Sequence, residues 1–222
     1  MMSKYFKSEL LKWKNSYAFY LILVLSLLQL VILPPYFLMA NNPVILKNIV
    51  FLDMLGYCIV MAIVSILLHD QEMSANHFQN IRSERHKFAI WSMKLLSTDL
   101  LLLVPNLLLW LIIGIEVNHL AYYVFIGIVT WLLLVMLNHF HMFLSLFMGK
   151  GGNLLISFIE CLFIVFATNK AFLHIFWMPI ALPVNAILVY GNGEAILMII
   201  MLIGDIALFY IGNLVMISRI KL

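Results

Sequence analysis

Apolar positions run almost unbroken for about twenty residues at a time along this chain. The runs predict membrane spans at 17–39, 48–68, 95–115, 120–147, 154–172 and 195–217. About twenty residues of helix cross the ~30 Å hydrocarbon layer of a bilayer. Inside lipid each backbone amide and carbonyl has to be paired within its own segment, so these runs are expected to be helices. The fold expected is all-α, a polytopic membrane protein with six transmembrane helices and a single domain over 1–222. The first run is longer than the 7–15 apolar residues of a signal peptide and has no small-residue cleavage site, so it is expected to remain in the mature protein.

Three stretches break the apolar rhythm. Residues 69–96 read HDQEMSANHFQNIRSERHKFAIWSMKLL. On one helix Met73, Phe78, Ile81, Phe88, Trp91 and Leu95 would share an arc of about 140°, yet Glu84 and Arg85 fall in the same arc. A short helix over 73–82, a break with Ser83 as N-cap, and a second helix from Glu84 into the third span fit better. Phe78 and Ile81, set among His77, Gln79, Asn80 and Arg82, have the mixture of apolar anchors and hydrogen-bonding groups that suits a groove in a soluble partner. A helix resting on lipid headgroups has the same composition.

The opening MMSKYFKSELLKWKNS places Phe6, Leu10, Trp13 and Tyr17 on one helical face, with Lys4, Lys7 and Lys14 away from it. That pattern suits an interfacial helix on the inner leaflet with Trp13 as anchor, or a plain basic flank. Residues 170–194 are largely apolar, but their uninterrupted core is short and Pro179 and Pro183 oppose a seventh span. A re-entrant hairpin in the outer leaflet is expected there, with Gly191 and Gly193 supplying the turn before the last span.

Composition and charge sharpen this. The chain is 65% hydrophobic and 10% charged, with a mean hydropathy of +1.08, outside the range of soluble domains. The net charge of +3 does not point to nucleic acid, because the basic residues flank the apolar runs. Of thirteen Lys and Arg, eleven fall on one side of the six-span layout and only Lys47 and Lys170 on the other. Both termini and the 69–96 stretch are therefore expected to be cytoplasmic. Cys58 and Cys161 lie within apolar runs without metal-ligand spacing and read as packing residues.

Charged side chains inside a span are costly and face protein or water. Glu160 lies about two turns into the fifth span and Asp205 near the middle of the sixth. Each is a candidate for a substrate path or subunit contact, or is neutralised locally by a neighbouring helix. Asp99, near the inner interface, is expected to be paired or to snorkel. Asn138, His139 and His141 form an NHFH cluster whose histidines stand about 200° apart, which suits polar glue between helices better than one metal site. An intramembrane hydrolase would need His139, His141, Glu160 and Asp205 to converge; no HExxH spacing or nucleophile elbow accompanies them.

The segment QEMSANHFQNIRSERHKFAIWSMKLL resembles the first cytoplasmic loop of ABC-2 type transporter permeases, and more narrowly that of lantibiotic-immunity permease subunits. SELLKWKNS is similar to that family's opening helix, and the six-span layout agrees over the whole chain. The resemblance implies a coupling helix between spans 2 and 3 that docks on a separate ATPase. On this chain Glu72 corresponds to the acidic residue before that helix, Asn76, His77, Phe78, Gln79, Asn80, Ile81 and Arg82 to its docking segment, and Lys94 to the lysine opening the third span. IRSERHK stands where the commoner pattern has a proline. The resemblance also implies two permease halves, a heterodimer or a homodimer, and an ATPase homodimer that binds ATP and Mg, so no cofactor and no catalysis are expected of this chain. A phosphate-binding loop is missing from it, Gly149-Lys150 being followed by Gly151.

The expected function is export of a lantibiotic or similar membrane-active peptide from the bacterial plasma membrane, with peptide contact near Trp177 in the outer hairpin. An ABC-2 permease for another hydrophobic substrate, or a non-transporting assembly or sensor subunit, is the alternative.

Overall fold

The computed structural model describes residues 2–39, 43–74, 78, 81, 86–173 and 175–219. Among them are eight α-helices, one 3-10 turn at Lys170–Phe172 and no strand. The helices are α1 (Met2–Trp13), α2 (Tyr17–Met39), α3 (Pro43–Ser74), α4 (Lys87–Glu116), α5 (Leu120–Ser145), α6 (Lys150–Ala167), α7 (Ala181–Leu188) and α8 (Gly193–Arg219). Six of them, α2 to α6 and α8, are long and apolar enough to cross a membrane, with mean hydropathies from 1.6 to 2.4. This marks a multi-pass membrane protein.

Helix α5 is the central post. It packs against α3, α4, α6, α7 and α8, and its buried positions, including Ile126, Gly127, Val135, Met136 and His139, lie all around its axis. A helix apolar on every side is satisfied only by such surroundings or by lipid. By contrast α2 and α8 are peripheral, with only 17% of each apolar window buried.

The apolar runs locate the spans, but several helices exceed them. Helix α3 has 32 residues, about 48 Å at 1.5 Å per residue, and so projects beyond the hydrocarbon layer. It carries its polar end through Ser74, so Met73 closes α3 and does not open a separate short helix. A single helix over 73–95 is also excluded, because Phe78 has φ +62, a left-handed conformation. The third span gains a lead-in from Lys87, whereas the fifth ends at Ala167, short of 172.

After the Lys170–Phe172 turn, α7 is buried at every residue from Ala181 to Ile187 and packs on α5, α6 and α8. Pro183 does not break it: it is the third residue, where a backbone N–H has no intrahelical partner to lose. Gly191, at φ +90, makes the turn into α8.

Of the apolar face read from the sequence of the first helix, Trp13 is covered by the protein itself. Glu9 and Trp13 are buried, while Leu10 and Tyr17 of the expected apolar face are exposed. The reason is that α1 packs on α4, and Trp13 Nε1 donates a hydrogen bond to Ser97 Oγ at 3.2 Å. Trp13 is thus a docking residue within the protein.

Close helix approach also places a small residue under constraint. A Cβ on Gly114 of α4 would lie 3.0 Å from Tyr123 Cβ and 3.2 Å from Leu120 Cα of α5. The backbone of α5 cannot give way as a side-chain tip can, so Gly114→Val is expected to lose about 1–3 kcal/mol. Gly56→Ala, with nothing within 4 Å of its new Cβ, is expected to be neutral or better in an interior helical position. Thermal unfolding of the two variants in detergent compares them; equal loss in both would refute the close-approach argument.

Candidate functional site

The polar residues around the 75–86 segment, at one end of the spans, do not stand apart in solvent. Glu9 and Lys12 project from α1, Glu72 from the last turn of α3 and Lys94 from the second turn of α4. Glu72 Oε1 lies 2.7 Å from Lys94 Nζ and 2.9 Å from Lys12 Nζ. Glu9 reaches the same two lysines, at 2.7 Å from Lys12 and 3.5 Å from Lys94. The four charges alternate in a closed ring and sum to zero.

Glu9, Glu72 and Lys94 are each no more than 3% exposed, so water contributes little and the ring's geometry has to compensate the desolvation of its ions. Gln71 Nε2 adds a hydrogen bond to the Lys12 carbonyl at 3.0 Å. Burial alone would lower the Lys12 pKa, but the carboxylates of Glu9 and Glu72 outweigh it and raise the pKa above the ordinary 10.5. A raised lysine stabilises the fold fully below its unfolded value, and the contribution is lost as pH climbs through the folded one. Lys12 therefore keeps its charge at neutral pH.

Glu72 and Lys94 flank the 75–86 segment in sequence, and the fold brings them into contact. Glu9 and Lys12 were not singled out from sequence. The available signal was the row Tyr5, Glu9, Trp13 at helical spacing, which puts a carboxylate on the covered face of α1.

Within the segment, Phe78 is 4% exposed and Ile81 1%. The Phe78 ring sits 5.2 Å from the His69 ring and 6.3 Å from that of Trp91, and the Phe78 N–H bonds to the Glu72 carbonyl at 3.2 Å. These two side chains are therefore corrected from exposed docking anchors to a plug between the ends of α3 and α4. Their apolar surface is better covered by the chain's own core than by water. Asn76, His77, Gln79, Asn80 and Arg82, with Ser83 and Glu84, lie outside the described residues.

Deeper in the bundle, two separate carboxylates take the two histidines of α5. Asp99 of α4 accepts from Asn138 Nδ2 at 2.8 Å and contacts His139 Nε2 at 3.0 Å. Of the two expectations for Asp99, pairing or snorkelling, the structure shows pairing, with Asn138 and His139 of α5. Asn213 of α8 donates to the His139 carbonyl at 2.7 Å and accepts from Trp91 Nε1 at 3.1 Å. On the opposite side of α5, His141 Nε2 meets Glu160 Oε2 of α6 at 2.9 Å, and its Nδ1 meets Asn153 Oδ1 at 2.6 Å. Asn153 Nδ2 continues to Ser65 Oγ of α3 at 2.9 Å.

The histidines thus diverge, each to its own carboxylate, and among the described residues no group of three His, Cys, Asp or Glu could hold a metal ion. Asp205 is half-buried on α8 with no hydrogen-bond or ion-pair partner among the described residues, and it does not join His141 and Glu160. Trp177, at 76% exposed, projects from the segment before α7.

One acidic residue inside a span was not singled out from sequence. Asp53 of α3 accepts a 2.6 Å hydrogen bond from Gln29 Nε2 of α2, and its second oxygen is enclosed without a partner among the described residues. The run VILKNIVFLDMLGY shows an isolated Asp among apolar neighbours, the same signal that marked Glu160 and Asp205.

The chain matches no protein-family model, and comparison with curated proteins and with solved structures finds no match.

Proposed function

We propose that this chain is the transmembrane subunit of an ABC-type exporter of the bacterial plasma membrane, with both termini in the cytoplasm. It expels a membrane-active peptide of the lantibiotic kind, and a separate ATPase supplies the energy. The observation that carries the reading is the buried ring of Glu9, Lys12, Glu72 and Lys94. A subunit driven from outside needs a stiff joint where the cytoplasmic segment meets its spans. The ring ties the helices on both sides of that segment to the interfacial helix, and Phe78 and Ile81 wedge its base into the core. A push on residues 75–86 would then move α1, α3 and α4 together.

ATP and Mg belong to the partner in this reading, and the chain itself is not an enzyme. A second permease half, identical or similar, is the natural cover for the sparsely enclosed α2 and α8. A different hydrophobic cargo would use the same joint.

Docking is borne by the polar residues of the segment, since its apolar ones face inward. A variant with His77, Gln79, Asn80 and Arg82 all changed to Ala is expected to lose co-purification with the partner ATPase. Its thermal unfolding should stay within about 1 kcal/mol of the parent. Undiminished co-purification of a stably folded variant would overturn the docking assignment.

A further inference from the structure

Asp53 lines a cavity of about 280 Å³ between α2, α3 and α4. Most of its wall is aliphatic, including Ile22, Leu25, Ile49 and Leu102. Three lining residues, Leu28, Ile32 and Leu52, are 49%, 57% and 67% exposed, so the cavity opens on the flank of the bundle, where lipid lies.

Three of its polar side chains are held by hydrogen bonds. Tyr57 Oη donates to Asn106 Oδ1 at 3.1 Å, and Asn106 Nδ2 donates to the Gly127 carbonyl at 2.7 Å. Gln29 engages one oxygen of Asp53. The other oxygen, Oδ2, is enclosed and accepts no hydrogen bond among the described residues, while the Tyr57 hydroxyl interacts with the same carboxylate. Among the described residues no lysine, arginine or histidine lines the cavity. The nearest lysine in sequence, Lys47, is one and two-thirds turns away on the same helix and so points elsewhere, about 240° around the axis.

Asp53 lies six residues, about 9 Å, from Lys47, and 21 residues, about 32 Å, from Ser74 at the opposite end of α3. It therefore sits in the half of the bilayer away from the 75–86 segment. An uncompensated carboxylate at that depth is costly, and residues of this kind usually have a partner that they face. An apolar cavity with one unsatisfied acceptor and no cation of its own complements an apolar body that carries a single positive donor.

We infer that the groove between α2, α3 and α4 is a binding site for lipophilic ammonium ions, with Asp53 as the charge partner and the aliphatic wall holding the hydrocarbon. Gln29 positions the carboxylate by holding its Oδ1. The site stands apart from the exporter reading and needs neither an ATPase nor a second permease half. The ammonium can come from a free amphiphile or from the headgroup of an aminophospholipid, since both present N–H donors beside an acyl or alkyl chain.

The test uses the full chain in nanodiscs of phosphatidylcholine and a spin-labelled dodecylamine, whose immobilised fraction in the electron paramagnetic resonance spectrum reports occupancy. The expected result is saturable immobilisation that unlabelled dodecylamine displaces and that dodecanol, at the same membrane concentration, does not. D53N, which keeps the shape and removes the charge, is expected to weaken binding on the order of tenfold or more. Equal competition by dodecanol overturns the inference without any variant, so a D53N chain that fails to fold leaves it open to refutation. Undiminished affinity in a folded D53N chain overturns it as well. With the site present, replacing part of the phosphatidylcholine by phosphatidylethanolamine separates the sources. Displacement of the label identifies the lipid headgroup as the occupant, and an unchanged signal identifies the free amphiphile.

Discussion

Lys94→Met should destabilise the protein by about 3–5 kcal/mol, the cost of removing one partner from a buried ionic group. Lys94 lies 2.7 Å from Glu72 and 3.5 Å from Glu9, and with it gone two buried carboxylates share the single ammonium of Lys12. The local charge changes from zero to minus one in a place that is 2–3% exposed. Methionine preserves most of the apolar stem, so packing loss is minor and the effect reports charge.

The matched control is Lys150→Met. Lys150 makes an equally short contact, 2.7 Å to Asp70, but the two side chains are 66% and 36% exposed. Pairs of that kind contribute about 0–1 kcal/mol. Combining Lys94→Met with Glu72→Gln restores neutrality and should recover a large part of the loss. Unfolding by heat, followed in detergent by circular dichroism, reads all three. Equal effects at Lys94 and Lys150, or no recovery in the double variant, would refute the ring as a structural unit.

The two lysines also show what a sequence carries and what it leaves to the fold. Both flank an apolar run, and both were read as topology determinants. Nothing in the local pattern told the buried one from the exposed one, because the difference lies in α1 folding over Lys94. The spans themselves were legible, since about twenty apolar residues in a row leave a helix few alternatives in lipid. The end of α3 was not: hydropathy reports where lipid stops, whereas the helix continues through the polar residues to Ser74.

Phe78 and Ile81 illustrate the same limit. Two apolar residues in a polar loop have one composition whether they await a partner or plug their own core, and only the tertiary contacts with His69 and Trp91 decide. His139 and His141 were half legible. Helical geometry predicted that they face opposite ways, but their carboxylates come from α4 and α6, residues 40 and 19 positions away. Asp53 was legible by the rule that marked Glu160 and was passed over; its partner on α2 was not.

The second large effect is expected at the pair on the far side of α5. His141→Leu should lower stability by about 3–5 kcal/mol, because Glu160 and the Oδ1 of Asn153 both lose the group that faces them. The imidazole is wholly enclosed. In the assignment where Nδ1 donates to Asn153 Oδ1, Nε2 shares the remaining proton with Glu160. Either the imidazolium donates to a carboxylate or a neutral carboxyl donates to the ring, and both forms need the partner present.

Glu160→Gln retains a donor toward Nε2 and should cost only about 1 kcal/mol, the scale of one exchanged hydrogen bond. Replacing both residues, His141→Leu with Glu160→Leu, removes the demand along with its answer. It should therefore be much less damaging than His141→Leu alone, with a coupling of about 1–3 kcal/mol across the cycle. Thermal unfolding of the parent, His141→Leu, Glu160→Leu and the double variant in one detergent gives that coupling directly. If the double variant loses as much as the sum of its two single changes, to within about 0.5 kcal/mol, His141 and Glu160 act independently and the bridge from α5 to α6 does not contribute as a pair.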